Sequence, residues 1–152
     1  MPSLVQIAAA TASDHEWCAR LMASIDPWIT LKRDLDECRD TLLRPGTELF
    51  IATEADGQPR GFILVAPHGF AGSPYIASIG VAPDAQDQGI GAQLLTFTEQ
   101  HFRDRRHLFL LASSFNQRGQ QFYCRHGFLP IGELKDYLVP GHSELIFHKR
   151  LP

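Results

Sequence analysis

Between Gln86 and Gly91 the chain reads QDQGIG, directly after an alternating apolar segment and directly before a helical one. Tyr75 to Val81 alternates as a strand does, with Tyr75, Ala77, Ile79 and Val81 on one face and Ser78 and Gly80 on the other, and it stops at Pro83. Ile90, Leu94, Phe97 and His101 then recur at helical spacing, which predicts a helix to about Arg103. A strand that passes through a glycine-containing turn into a helix presents unpaired N–H groups and the positive end of the helix dipole to any anion nearby. Gly89 and Gly91 let a phosphate or pyrophosphate approach the backbone closely. Two other phosphate loops are excluded: no GxxxxGK[ST] occurs, and GxGxxG fails because its third glycine position is Leu94.

About 25 residues beyond Gly91 stands a second pattern, NQRGQQFYCRHGF, with a strand-like LFLLAS between the two. It offers a phenol, Tyr123, inside a predicted helix that Asn116 can cap and Gly127 can end. Read alone, Tyr123 is equally a core residue packing beside Phe122, and Asn116 needs no role beyond its cap.

Together the two patterns resemble the GNAT superfamily of N-acyltransferases. Val81, Pro83, Gln86, Gly89 and Gly91 match its acyl-CoA turn, [RQ]xxGx[GA] after a strand ending in V-x-P. Asn116, Gly119, Phe122, Tyr123, Gly127 and Phe128 are similar to its NxxAxxxYxxxGF, with glycine where alanine is usual. The C-terminal half also resembles the ribosomal-protein alanine N-acetyltransferases. The resemblance implies an α/β (α+β) fold, a mixed and mostly antiparallel sheet of about seven strands flanked by about four helices, in one domain spanning residues 1–152.

It also implies acetyl-CoA as cosubstrate and direct acetyl transfer to a primary amine, on a small molecule, a protein N-terminus or a lysine. Gln86, Asp87, Gln88, Gly89, Ile90 and Gly91 would then hold the pyrophosphate, with Asn116 and Tyr123 also at the cofactor. The edge of Ile79, Gly80 and Val81 would pair with the amides of pantetheine as an added strand does. Gly80 suggests a bulge or a close backbone approach there. The Val81 N–H would be the oxyanion donor, and Tyr123 the acid that protonates the leaving thiolate. The alternative is a CoA-binding regulatory or degenerate domain without turnover.

Several residues depart from the pattern. Asp84 and Asp87 bring carboxylates to a turn meant for pyrophosphate, with Arg118 and Arg125 as compensating cations or plain solvated residues. The position where relatives carry a glutamate, five residues ahead of Asn116, is Leu111, so a base must come from elsewhere. Ser78 with a water, His142 and Glu144 are candidates, the last two equally readable as surface polar residues. For the acceptor, Asp26, Trp28, Tyr137 and Glu144 stand out, since a carboxylate and an indole can hold a cationic amine. A turn cap, a core cover and a filled strand face would explain the first three as well.

The elements that must position these residues follow from the remaining pattern. Leu4 to Ala8 reads as an edge strand. Ser13 and Glu16 form an S-x-x-E box opening a helix from Asp14 to about Ile25. Pro27 breaks the chain, and Thr30 can cap a second helix carrying Leu31, Leu35, Cys38 and Leu42. Glu48 to Thr53 and Arg60 to Ala66 read as hairpin strands, His68 to Pro74 as a loop and His107 to Ala112 as a buried strand. Phe128 to Leu138 and Glu144 to Lys149 read as a closing pair.

Composition sets the limits. The chain has 152 residues, 44% hydrophobic, with a formal charge of −3, so no overall basic field draws it to nucleic acid or an anionic membrane. Three separate cysteines, Cys18, Cys38 and Cys124, suggest free thiols and a cytoplasmic setting. No apolar run reaches the length of a membrane span, and the histidines lack metal-ligand spacing, so no metal is expected. A homodimer is compatible with the resemblance.

Overall fold

The computed structural model describes residues 4–152. Seven strands form one sheet in the order β1-β2-β3-β4-β5-β7-β6. They are β1 (Gln6–Ala9), β2 (Glu48–Thr53), β3 (Pro59–Phe70), β4 (Ser73–Val81), β5 (His107–Ser113), β6 (Leu129–Leu134) and β7 (Glu144–Arg150). Four α-helices accompany them: α1 (Ala12–Ser24), α2 (Leu35–Leu42), α3 (Ile90–His101) and α4 (Gln117–Arg125). All neighbouring strands are antiparallel except β4 and β5. The expected mixed sheet with four helices is what the chain forms.

The helices divide between the two faces of the sheet. Gly61 and Phe62 are successive residues of β3 and therefore point oppositely. Phe62 lies 6.2 Å, ring to ring, from Trp28 on the α1–α2 link, whereas a Cβ on Gly61 would meet Ile90 and Leu94 of α3. Phe62, Ile63, Leu64 and Val65 are almost completely buried, so the centre of β3 is covered on both sides. Among the described residues no helix is long and apolar enough to cross a membrane.

Local chemistry shifts several expected boundaries. The cap of α1 is Thr11 with Asp14, not Ser13 with Glu16: Thr11 Oγ1 accepts from the Asp14 N–H and Asp14 Oδ2 accepts from the Thr11 N–H at 2.8 Å. Glu16 is thereby left to receive both Nε and Nη2 of Arg39, at 2.9 and 2.7 Å, which ties α2 to α1. The cap of α2 is likewise Asp34 with Glu37, because Thr30 is already engaged: its N–H and its hydroxyl both donate to Asp26 Oδ1. Residues around Pro27 to Thr30 form turns, entered through a cis Asp26–Pro27 bond.

The expected loop at His68 to Pro74 is mostly strand. Ala71 and Gly72 both have positive φ, +51° and +83°, the backbone of a two-residue hairpin turn, and Phe70 pairs with Ser73 across it. Arg105 fastens this hairpin by donating to the carbonyls of Pro67 and Gly72. At the other end β6 stops at Leu134, so Lys135 to Leu138 lie in the connection and not in the strand. The bulge expected at Gly80 falls instead at Ala77, where the register slips between Leu64–Ser78 and Val65–Ile76. Gly80 pairs regularly with Phe62, and its missing Cβ makes room for the Phe62 ring.

Gly61 tests this packing. A Cβ there would lie 2.9 Å from the Gly80 carbonyl oxygen and 3.2 Å from Ile90 Cγ2. Gly61→Ala is expected to cost roughly 1–3 kcal/mol through overpacking, seen as a lower urea midpoint with an unchanged slope. A midpoint equal to that of the parent protein would mean that β3 and α3 are not pressed together at this point.

Candidate active site

The site begins where two strands part. β4 and β5 pair only through Tyr75 with Phe109 and Ile76 with Leu110. From Ala77 to Val81 and from Leu111 to Ser113 the two strands have no ladder partner in each other. They run parallel, so their carboxyl ends open on the same side, and each leads into a helix N-terminus. The residues on both lips line one cleft of about 830 Å³.

The backbone of β4 is aimed at this opening. The Ala82 N–H donates to Arg60 O of the β3 side at 2.8 Å. By the alternation of an antiparallel ladder, the N–H groups of Val81 and Ile79 point the other way, into the gap. The Val81 carbonyl on that side accepts from Gln86 Nε2 at 3.3 Å. Val81, Ile79 and Gly80 all line the cleft.

Beyond Val81, Pro83–Ala85 forms one 3-10 turn, and the chain reaches α3 through Asp87 and Gly89, with φ of +64° and +80°. Gly89 is the N-cap and has no side chain to occupy the first turn of α3. Gly91 is close to α4: a Cβ there would stand 3.0 Å from the Phe122 ring. Gln86, Asp87, Gly89, Ile90 and Gly91 line the cleft, whereas Gln88 stays outside its lining and donates to the Asp84 carbonyl. The two acidic departures fare differently. Asp87 is held by Arg118 Nη2 at 2.6 Å, and Arg118 Nη1 donates to Gln86 Oε1 at 3.1 Å. Asp84 is exposed and outside the cleft.

Asn116 caps α4, accepting from the Gly119 N–H at 3.0 Å. A Cβ at position 119 would collide with the Asn116 side chain, which gives glycine a local reason in place of the usual alanine. At its far end α4 closes as expected at Gly127, φ +90°, with the Phe128 N–H donating to Tyr123 O and the Gly127 N–H to Cys124 O. Lys149 holds the same end, donating to His126 O at 2.8 Å while paired with Glu99 at 2.7 Å.

Tyr123 is consequently fixed by its backbone and buried by its ring. It is 8% exposed and lies against Phe128 and Phe147. No buried side-chain polar atom among the described residues lacks a partner, and the Tyr123 hydroxyl has no hydrogen bond among those residues, so it opens to the cleft it lines. Burial, with a contribution from Tyr75, pushes the phenol well above its ordinary value.

The same cleft is lined by the residue for which the sequence offered two readings. Glu144 is not a surface residue: it is 4% exposed and accepts from Ser113 Oγ at 2.7 Å. The reason is register, because Ser113 pairs with Glu144 at the end of β5, beyond the point at which β5 leaves the β4 ladder. Burial pushes the Glu144 carboxyl above the usual range, against the Ser113 hydrogen bond and the His142 charge. Tyr75 stands within electrostatic reach of Glu144, Tyr137 and Arg44, and burial pushes its phenol up to about 12. Periodicity marked Tyr75 only as a strand face, and neither Ser113 nor Arg44 carried any signal in a linear reading. Leu111, Ser113 and Ser78 line the same cleft, while His142 does not and packs edge-on against Phe115.

The remaining acceptor candidates also line the cleft. Trp28 is 9% exposed, covers Phe62 and still reaches the cleft. Asp26 is exposed and holds Thr30, and Tyr137 is exposed in the β6–β7 connection; both line the cleft. No group of three metal-ligating side chains occurs among the described residues.

Comparison with known proteins agrees with this architecture. The acetyltransferase (GNAT) family model matches residues 9–128, and the chain belongs to that family. It is an acyltransferase. A protein from Desulfovibrio desulfuricans, described as an acetyltransferase of the GNAT family, superposes with a TM-score of 0.80 at 23% identity, over 98% of this chain and 100% of that one. A GNAT family acetyltransferase from Elizabethkingia anophelis with acetyl-CoA bound gives 0.73 at 20% identity, over 97% and 98%. An aminoglycoside 6′-N-acetyltransferase complexed with coenzyme A gives 0.76 at 14% identity, over 97% and 98%. No curated protein matches the chain at the level of sequence.

The raised carboxyl of Glu144 has a consequence for stability. A group whose pKa is higher folded than unfolded favours the folded state fully below its unfolded value, about 4.3, and that contribution is lost as pH rises through the folded value. Glu144→Gln removes this component. The difference in unfolding free energy between parent and variant is therefore expected to shift in the variant's favour as pH rises through the raised value. Urea titrations at a series of pH values read this directly, and parallel profiles would contradict a buried, destabilised carboxylate.

Proposed function

We propose that this acyltransferase binds acetyl-CoA in the cleft between β4 and β5 and transfers its acetyl group directly to a primary amine. The observation that carries the reading is the parting of two parallel strands in front of two helix N-termini, with a buried carboxylate and a buried phenol lining the same cleft. The acetyl-CoA and coenzyme A held by the two structural neighbours support the choice of donor.

In this reading the pyrophosphate lies against the first turn of α3, reached through Gly89 and Gly91, with Gln86, Asp87, Ile90 and Asn116 around it. Arg118 offsets the Asp87 carboxylate. Pantetheine follows the free edge of β4 and takes the N–H and carbonyl groups that β5 does not use. The thioester carbonyl then reaches the Val81 N–H, a donor fixed before the reaction starts. Such preorganised donors are worth roughly 3–4 kcal/mol of transition-state stabilisation.

The acceptor approaches from the wall of Asp26, Trp28, Tyr137 and Glu144. An amine must be neutral to attack, and Glu144, raised in basicity by burial, is the group we assign to receive its proton, directly or through one water. Nitrogen forms its bond to the acetyl carbon, the carbonyl electrons pass to the oxygen at Val81, the nitrogen, now positively charged, gives up its surplus proton to water, and the return of the electrons expels the CoA thiolate. Tyr123 supplies a hydrogen bond to that sulfur. Because burial holds its proton firmly, its help comes as charge develops on sulfur and does not depend on prior ionisation.

Titration of acetyl-CoA into the protein, followed by CoA-thiol release with a panel of amines, tests the whole reading. Saturable binding and amine-stimulated release are expected; their absence would sink it. Glu144→Gln is expected to lower kcat by about 10²-fold or more, with acetyl-CoA affinity retained and the acidic limb of the rate profile lost. Tyr123→Phe is expected to lower kcat by a smaller factor with affinity again retained. Unchanged turnover in either variant would remove that residue from the mechanism.

A further inference from the structure

The groups around Tyr75 point beyond the reaction to the acceptor itself. Arg44, Tyr75, Tyr137 and Glu144 line the same cleft, and the Tyr75 hydroxyl lies within electrostatic reach of the other three. These are one cation, two phenols and one buried carboxylate. Glu144 and Arg44 share the cleft without pairing with each other.

Glu144 is committed to Ser113 at 2.7 Å and has no ion-pair partner among the described residues. The Arg44 guanidinium likewise makes no ion pair or hydrogen bond among the described residues, in contrast to Arg118, which is committed to Asp87 and Gln86. Asp26, another carboxylate lining the cleft, is turned to Thr30, whose N–H and hydroxyl both bind its Oδ1. Backbone bonds position Arg44 itself: just past α2, its N–H donates to Thr41 O and its carbonyl accepts from Thr47 Oγ1 at 2.7 Å. The backbone of Arg44 is therefore fixed, and the residue lines the cleft with its guanidinium uncommitted among the described residues.

We infer that the acceptor carries a carboxylate as well as its amine, as a free amino acid does, with Arg44 holding the carboxylate while the amine meets Glu144. The inference rests on the acyl-transfer reading of the cleft. A guanidinium matches a carboxylate through two parallel hydrogen bonds, and the Tyr75 and Tyr137 hydroxyls add donors beside it. An ammonium and a carboxylate in one small molecule neutralise both ends of the wall together. A polyamine satisfies only Glu144 and brings a second cation towards Arg44. Ile25, Trp28, Leu31 and Phe70 make the rest of the wall apolar, which suits an amino acid with an apolar or aromatic side chain.

The test pairs each acid with its amide. Protein saturated with coenzyme A is titrated with phenylalanine, methionine and leucine, with their carboxamides, and with spermidine; release of CoA thiol from acetyl-CoA is followed with the same compounds. The free acids are expected to bind at least about tenfold more tightly than the amides, the scale of a charge-assisted bidentate pair. Arg44→Gln should bring the acid-to-amide ratio of kcat/KM towards one through KM, and Arg44→Lys should restore part of it. Amides or spermidine binding as well as the acids, or no acid binding at all, would overturn the inference. So would an Arg44→Gln effect equal on acids and amides. Turnover of amides without preference for acids defeats this inference alone, whereas no acetyl-CoA binding and no thiol release with any amine defeats the acyl-transfer reading beneath it.

Discussion

The site depends on a sheet that is incomplete by design of its register. β4 and β5 share only two paired positions, Tyr75 with Phe109 and Ile76 with Leu110, before they diverge. Full pairing would consume the N–H and carbonyl groups of Ala77 to Val81, and unpaired backbone in a dry interior is costly. The gap is tolerable only because it stays open to solvent or to a ligand with its own amides. The register slip at Ala77 belongs to the same arrangement. It lets Ser78 and Gly80 keep their pairing with β3 while the other edge of the strand is released.

Everything chemically useful is then placed by how far each neighbouring element follows the divergence. β7 stays with β5 to its end, so Glu144 arrives opposite Ser113 at the inner lip of the gap and is buried by the same pairing. α4 follows β5, and Gly127, Phe128 and Lys149 clamp its last turn, which fixes Tyr123 from behind. A carboxylate with a raised pKa and a phenol with a raised pKa thus face one cavity for one reason, exclusion of water, and burial makes the first a better base and the second a firmer proton holder.

Much of this was legible in the chain. The QDQGIG turn, the strand before it, the helix after it and the NQRGQQFYCRHGF helix with its glycine stop are local patterns whose physics lies within a few residues, and each forms where its residues imply. What failed was either competition between equivalent local signals or information carried by pairing. Thr11 and Ser13 are both good caps, and only the geometry of Asp14 decides between them. Thr30 would have capped a helix had Asp26 not engaged it first. Glu144, in YLVPGHSEL, looks like a solvated residue after a turn; its burial comes from the β5–β7 register, which links positions 31 residues apart. Arg44 gave no signal, because its meaning depends on the absence of a partner in three dimensions.

The acidic turn is the departure that most needed a structural account. Asp87 would repel a pyrophosphate if its carboxylate faced the first turn of α3, and its positive φ instead accompanies a contact to Arg118 on α4. An exposed pair of this kind adds little stability, so its significance is geometric. Through Arg118 the same α4 side chain also holds Gln86 Oε1, and Gln86 Nε2 in turn holds the Val81 carbonyl. One arginine therefore joins the start of α4 to the end of β4 across the opening. With its carbonyl engaged in that chain, Val81 is left with a backbone N–H as its group for the cleft, and the orientation of that N–H is set by a network reaching both lips. The Asp87 carboxylate, a departure from the family's turn, is in this way part of the network that joins the two lips.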